Sequence, residues 1–171
     1  GDIGKVKKYP GEMTSEELVK LLSHPHQWWR LTAQRLLVER FDTTVSPALT
    51  ALVMNDENAL TRLHALYTLE ALGGLTLEIV QAVLHVEHPQ LRIHGLRLSE
   101  RYPELLPEIL KMADDPQVLV AFQASLSIGN FYGPEVENTL EQLSKRYGKD
   151  PWFETAISSA GKKRPSVQEN E

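Results

Sequence analysis

The chain has 171 residues, of which 42% are hydrophobic and 24% charged, and this composition is typical of folded globular proteins. Its formal charge of −5 argues against a nucleic-acid binder, because such domains usually carry a basic stripe or an overall basic charge. The absence of cysteine excludes disulfides, thiolate metal ligands and a cysteine nucleophile. No apolar run reaches the roughly 18 residues that a membrane-spanning helix needs.

The first segment, residues 1–13, is predicted to be an extended leader or the end of a preceding domain, since glycine and proline interrupt any helix there. The sequence TSEE that follows predicts a capping box, in which Thr14 and Glu17 satisfy each other's backbone N–H groups. Leucines and a valine at helical spacing come next. The first helix is therefore expected to begin at this point.

A short pattern recurs five times between residues 24 and 160, and its spacing decides the predicted fold. When the copies are aligned on one small residue, they follow each other every 29 to 32 residues. A period near 30 with helical spacing predicts stacked helix pairs, in which each pair needs its neighbours to bury its apolar face. The small residues, which we expect at close helix contacts, are Ala33, Ala65, Gly95, Ala124 and Ala156.

Each copy predicts the second helix of a pair, and the amphipathic segments between copies predict the first helices. No stretch of alternating β-branched residues competes, so we predict no substantial sheet. The chain is therefore expected to be all-α, a right-handed α-solenoid of about five helix pairs over residues 14–160. Residues 161–171 are expected to form a flexible tail or linker. The helix pairs should be separated by turn-forming residues, namely 42–44, 73–74, 102–103 and 132–134.

Three stretches carry a resemblance to a known family: HPHQWWRLTAQRLLVERFD, TRLHALYTLEALGGL and LRIHGLRLSER. They resemble HEAT-like repeats, and more narrowly the HEAT segment of large exported bacterial proteins that are membrane-bound-dehydrogenase-like. In that family a β-propeller comes first, the HEAT array follows, and a c-type haem domain usually closes the chain. Residues 2–9, DIGKVKKY, resemble the last propeller strand.

The resemblance implies a periplasmic or extracellular location and a place beside the redox domains of a quinoprotein-type dehydrogenase. It transfers no catalytic residue to this chain, because the sequence contains neither the propeller nor the haem motif C-x-x-C-H. What it implies for this segment is a scaffold that fixes the geometry between flanking domains.

Three arginines recur three residues before the aligned small position: Arg30, Arg62 and Arg92. Equivalent positions on stacked helices form a ladder, and the planar guanidinium group suits ties to carboxylates and carbonyls of adjacent repeats. Asp56 and Asp115 lie near the starts of second helices, where the helix dipole favours negative charge. The functional alternative is a cationic strip that receives an acidic protein partner.

Trp28 and Trp29 are adjacent, and neighbours on a helix point about 100° apart. One ring is therefore expected in the packing, and the other at an edge or against a preceding domain, because aromatic residues are enriched at protein contacts. His64 and His94 occupy equivalent places in two copies. Two histidines without a third ligand make a poor zinc site, so we predict no metal and no cofactor.

These patterns favour a non-catalytic scaffold or protein-interaction module whose partner is another protein or the flanking domains of a parent chain, with no nucleic acid. The alternative is a concave-face enzyme or ligand-binding module of the lyase or DNA-glycosylase kind, which needs a deep apolar pocket with convergent polar groups. The interaction candidates are Trp28, Trp29, Arg30, Arg62, His64, Arg92, His94 and Arg97.

Overall fold

The structure, a computed structural model, describes residues 8–162, and their backbone contains helices and turns but no strand. The helices are α1 (Ser15–Leu21), α2 (Gln27–Arg40), α3 (Ser46–Asn55), α4 (Ala59–Ala71), α5 (Leu77–Leu84), α6 (Pro89–Ser99), α7 (Leu106–Lys111), α8 (Val118–Ile128), α9 (Pro134–Tyr147) and α10 (Pro151–Lys162). The all-α prediction is confirmed over this part of the chain, and the five recurring copies are α2, α4, α6, α8 and α10. Handedness remains a prediction. The expectation for residues 2–7, and most of that for the tail, lies outside the described residues.

The predicted capping box at the first helix is present. The Thr14 backbone N–H donates to Glu17 Oε2 at 2.8 Å, and the Glu17 N–H donates to Thr14 Oγ1 at 3.3 Å. Lys8 Nζ lies 3.1 Å from the same carboxylate. The hydrogen bond from the Thr14 backbone, followed by the hydrogen bond from Lys8, lowers the pKa of the Glu17 carboxyl.

The chain divides into two compact units, the first ending at Ile79 and the second beginning at Val80. In the first unit α1 packs on α2 and α3 packs on α4. The two pairs also pack on each other: the first helices α1 and α3 are in contact, and so are the second helices α2 and α4. In the second unit α8 packs on both α6 and α10, while α7 packs on α8 and α9 on α10. Within each unit this is the solenoid-like packing of helix pairs on their neighbours.

The five aligned small residues are all buried, as the periodicity predicts. Gly95 of α6 illustrates why a small residue is needed at such a position. A Cβ atom placed there would lie 3.1 Å from Val83 Cγ1 and 3.2 Å from Leu84 Cδ2 on α5. Gly129, just beyond α8, makes a similar approach to α10, since its Cβ would lie 3.0 Å from Ala160 Cβ. Small residues therefore mark where one helix touches the next.

Two helices end in the left-handed backbone region. Gly73, after α4, has φ +71°, and Gly74 N–H donates to Leu69 O at 2.9 Å, which is the Schellman arrangement that the Gly-Gly pair predicts. Phe41, after α2, has φ 51° and ψ 38°, and its side chain is 61% exposed. A phenylalanine in this conformation is uncommon, because its Cβ crowds the backbone there.

Among residues 8–162 no helix combines the length and the apolar character that crossing a membrane requires.

Candidate functional site

The three recurring arginines make the same kind of contact, to backbone carbonyl groups that precede their own helix. Arg30 Nη1 donates to the carbonyls of His24 and Pro25, each at 2.7 Å, just before α2 begins. Arg62 Nε donates to Val53 O in the last turn of α3 at 2.7 Å. Carbonyl groups at a helix end lack partners within the helix, so Arg62 ties α4 to α3. Arg30 instead holds the loop that leads into α2.

Arg92 repeats this contact and adds a second. Its Nη1 donates to the carbonyls of Val86 and Glu87 at 2.9 and 2.6 Å. Its other edge meets Asp115 bidentately, Nε to Oδ2 at 2.9 Å and Nη2 to Oδ1 at 3.0 Å. The two side chains are 11% and 7% exposed. The predicted tie between adjacent repeats is therefore present at Arg92. Arg62 ties the two helices of one pair, and Arg30 binds the loop between α1 and α2.

Among the described residues, Arg30 of the first copy lacks the contact with a carboxylate that Arg92 makes. Arg30 Nε is buried and has no hydrogen-bond partner among the described residues. Asp56, which aligns with Asp115, instead accepts a hydrogen bond from Asn58 N–H at 2.8 Å. Asn58 in turn caps α4 by accepting from the N–H groups of Leu60 and Thr61. The Asp56 carboxylate, which belongs to the second copy, thus organises the loop before α4.

His64 lies half-buried between α2 and α4. Its Nδ1 is 2.8 Å from Oε1 of Gln34, so the two second helices of the first unit are joined by this hydrogen bond. Burial, and then the positive charge of Arg30, lowers the pKa of His64 below its usual value of 6.5. The neutral imidazole is the form that this environment favours.

His94 and Arg97 lie on α6 in the second unit. Burial, and then the charge of Arg97, lowers the pKa of His94. Arg97 Nε donates to Oε1 of Gln123 on α8 at 3.0 Å, and Gln123 Nε2 donates to Ser127 Oγ at 3.3 Å. Ser127 Oγ donates to Glu100 Oε1 at 2.7 Å. A polar seam thus joins α6 to α8, and the exposed Arg97 is its outer end.

The two tryptophans at the start of α2 differ in exposure, as predicted for adjacent helical residues. Trp28 is 61% exposed, whereas Trp29 is half-buried. Their rings meet edge to face with centroids 4.9 Å apart, and Trp29 also contacts the ring of His24 at 5.6 Å. Arg30 fixes the loop below by its two carbonyl contacts. Trp28 is therefore the aromatic surface of this cluster.

The second unit contains an apolar groove that was not predicted from the sequence. It lies between the starts of α8 and α10, has a volume of about 260 Å³, and is lined by Val118, Leu119, Phe122, Asp150, Trp152 and Phe153. Trp152 is 74% exposed, more than either tryptophan that the sequence singled out. The available signal was a tryptophan directly after Asp-Pro at a helix start.

The eight interaction candidates are divided between the two compact units. Five lie in the first unit, where Trp28 and Trp29 contact each other and Arg30 lies close enough to His64 to affect its pKa. The other three lie on α6. Within residues 8–162 no three His, Asp or Glu side chains are grouped so that they could hold a metal ion.

Comparison with known proteins assigns no relationship: no family model matches the sequence, and no curated protein matches it.

Proposed function

We propose that this chain is a non-catalytic interaction module, a HEAT-like repeat segment that serves as a scaffold inside a larger exported redox protein. The observation that supports a binding role is the placement of large apolar side chains on rigid helix starts. Trp28, Leu119 and Trp152 are 61%, 62% and 74% exposed. Large apolar side chains exposed on the surface, as Trp28 is in the first unit and Leu119 and Trp152 are in the second, are characteristic of protein contact sites.

The helix starts that carry these residues are held by specific contacts. Arg30 binds two carbonyls directly before α2, and Asp150 accepts hydrogen bonds from the N–H groups of Trp152 and Phe153. A surface that is ordered before binding loses little conformational entropy when a partner docks. This suits a module that sets the distance and orientation of its neighbours.

The scaffold role is tested on the full-length gene product. The segments that precede and follow residues 14–160 are produced separately, and their affinity for this chain is measured by biolayer interferometry. We expect at least one of them to bind, and Trp28→Ala to weaken that binding about ten-fold while the helical circular dichroism is kept. The matched control is Arg35→Ala, since Arg35 is exposed on the same helix and forms an exposed ion pair with Glu39.

A second experiment addresses the redox context. The product is expected to carry a signal peptide upstream of this segment and a C-x-x-C-H motif downstream. Deleting residues 14–160 while keeping both flanking regions should impair electron transfer between them. Absence of both sequence features, or unchanged electron transfer after the deletion, would remove the redox scaffold from consideration.

A further inference from the structure

The apolar groove of the second unit has the dimensions of a side-chain receptor. Its volume of about 260 Å³ is below the roughly 300–1,000 Å³ that is usual for small-molecule sites. Phe153 is buried and Phe122 half-buried, and their rings meet edge to face at 5.3 Å. Leu119 and Trp152 stand at its exposed sides. One large apolar side chain from a partner fills such a space.

The groove is preformed. Asp150 Oδ1 accepts from Trp152 N–H at 2.8 Å and from Phe153 N–H at 3.3 Å, which fixes the start of α10. Phe153 also stacks on Tyr147 of α9, with centroids 4.1 Å apart and planes 14° from parallel. The binding partner therefore meets rings that are already in place.

The apolar area exposed at the groove is large enough to bind a short protein segment but too small to hold a second copy of this chain. A few exposed side chains offer on the order of a few hundred Å² of apolar surface. A stable protein–protein contact needs about 800 Å² from each partner. Peptide segments, in contrast, bind through one or two apolar anchors in a groove.

Positive charge lies beside the groove. A hollow of about 500 Å³ at the end of α9 is lined by Ser144, Lys145, Arg146, Gly148 and Lys149, and the next residue in the chain is Asp150. Lys145 and Arg146 form exposed ion pairs with Glu141 at 2.7 Å and Asp114 at 2.8 Å, and such pairs are weak and exchangeable. Lys149 is exposed and pairs with no described residue. Carboxylates on a partner complement this hollow.

Resting on the proposed interaction role, we infer that the groove between α8 and α10 binds an extended protein segment in which acidic residues stand beside one large apolar side chain. The apolar side chain occupies the groove between Leu119 and Trp152. The acidic residues lie at the hollow formed by Lys145, Arg146 and Lys149.

The test uses a phage-displayed library of random 12-residue peptides, selected on the immobilised chain. Selected peptides are synthesised with a fluorescein label and titrated by fluorescence anisotropy. We expect enrichment of Asp or Glu within three positions of Leu, Ile, Phe or Trp. Trp152→Ala and Leu119→Asp should each raise Kd at least ten-fold, and Lys149→Glu at least three-fold. Raising the salt from 50 to 300 mM should also weaken binding several-fold.

Two controls keep the result interpretable. Glu154→Gln removes a negative charge from the same helix, and it should leave Kd unchanged or lower it. Trp152→Phe keeps an aromatic ring and should retain much of the binding, which separates loss of the anchor surface from loss of the fold. Helical circular dichroism is recorded for every variant.

The inference is overturned if no peptide is selected, or if selected peptides bind Trp152→Ala as tightly as the parent chain. It is also overturned if sedimentation equilibrium reveals self-association that Trp152→Ala abolishes, because the occupant is then a second copy. Failure of the scaffold role is a different result: peptides bind through Trp152, but neither flanking segment binds. Flanking segments that bind through Trp28, without any groove peptide, would leave the scaffold role intact and remove this inference.

Discussion

Arg92 and Asp115 form a bidentate ion pair, with Nε–Oδ2 and Nη2–Oδ1 distances of 2.9 and 3.0 Å, that joins α6 to the loop before α8. Both side chains are nearly buried, so the pair differs from the exposed ion pairs elsewhere on the chain. Its aspartate also accepts from Gln117 N–H at 2.8 Å. One carboxylate thus holds both the repeat contact and the loop geometry.

Removing this carboxylate is expected to be costly. Asp115→Ala leaves the Arg92 guanidinium without its partner, and breaking a buried pair from one side typically costs about 3–5 kcal/mol. Urea denaturation monitored by circular dichroism should show a fall of about 3 kcal/mol in the free energy of unfolding. Glu39→Ala, which breaks the exposed Arg35–Glu39 pair, should change it by less than about 1 kcal/mol. Equal effects of the two substitutions would contradict the structural role of the pair.

A methyl group at position 95 is expected to destabilise the protein despite the better helix propensity of alanine. That propensity is worth up to about 1 kcal/mol. The new Cβ would meet Val83 Cγ1 at 3.1 Å, and it would also meet the Leu84 backbone nitrogen at 3.4 Å. Val83 is buried and stiff about χ1, so neither neighbour gives way easily. We expect Gly95→Ala to lower the free energy of unfolding by about 1 kcal/mol.

The same contact can be isolated by a double-mutant cycle with Val83→Ala. The pair of substitutions should be less destabilising than the sum of the single ones, because the smaller side chain makes room for the new methyl group. Additive effects would show that the strain at Gly95 arises elsewhere.

Phe41 offers a test of backbone strain. Phe41→Gly should raise the free energy of unfolding by about 1 kcal/mol, since glycine adopts positive φ without the crowding that a Cβ atom causes. Phe41→Ala removes the same ring but keeps the Cβ, so it should bring no such gain. Thermal denaturation of the parent chain, Phe41→Gly and Phe41→Ala measures these differences in stability. Equal stabilities of the glycine and alanine variants would mean that the left-handed geometry is not strained.

Stability should fall on mild acidification, and His64 should be one cause. Burial and Arg30 lower its folded pKa, so the unfolded chain binds its proton more tightly. The stabilising contribution is therefore fully present above about pH 6.5 and is lost as the pH falls through the folded pKa. His94, beside Arg97, should add to the effect in the same direction.

His64→Gln keeps a group that hydrogen-bonds Gln34 but cannot titrate. The difference in free energy of unfolding between pH 7.5 and pH 5.5 should therefore be smaller in this variant than in the parent chain. His85→Gln, at an exposed position, serves as the control and should retain the parent's difference. An unchanged difference in His64→Gln would contradict the assignment.

The sequence predicts the helices well because their determinants are local. The capping box at Thr14, the terminator at Gly73 and the small residues at Ala33 and Ala65 each act within one helix or at one crossing. The arginine ties were also predictable in kind, since a recurring arginine before a packed position needs acceptors. Which acceptors each one finds depends on where the preceding helix ends.

Side-chain partners between helices were harder to predict. The contact of His64 with Gln34 depends on how far α2 is shifted along its axis relative to α4. The sequence period does not determine this shift to better than one helical turn. The groove at Trp152 was missed for a related reason. In the earlier copies the same stretch of the second helix supplies core residues, such as Val120 of α8. A tryptophan at this position therefore gives no local sign of a surface groove.

The guanidinium contacts at Arg30, Arg62 and Arg92 bear on how such a chain changes length during evolution. Each arginine binds main-chain oxygens that precede its own helix, in the loops before α2 and α6 and in the last turn of α3, and any sequence supplies such oxygens. When a helix pair is duplicated or deleted, its arginine–carbonyl contact is duplicated or deleted with it, and the same contacts in the other pairs are unchanged. Insertion of a whole helix pair therefore requires new side-chain contacts only between adjacent pairs. The bidentate contact of Asp115 with Arg92 is an example of a specific contact of this kind.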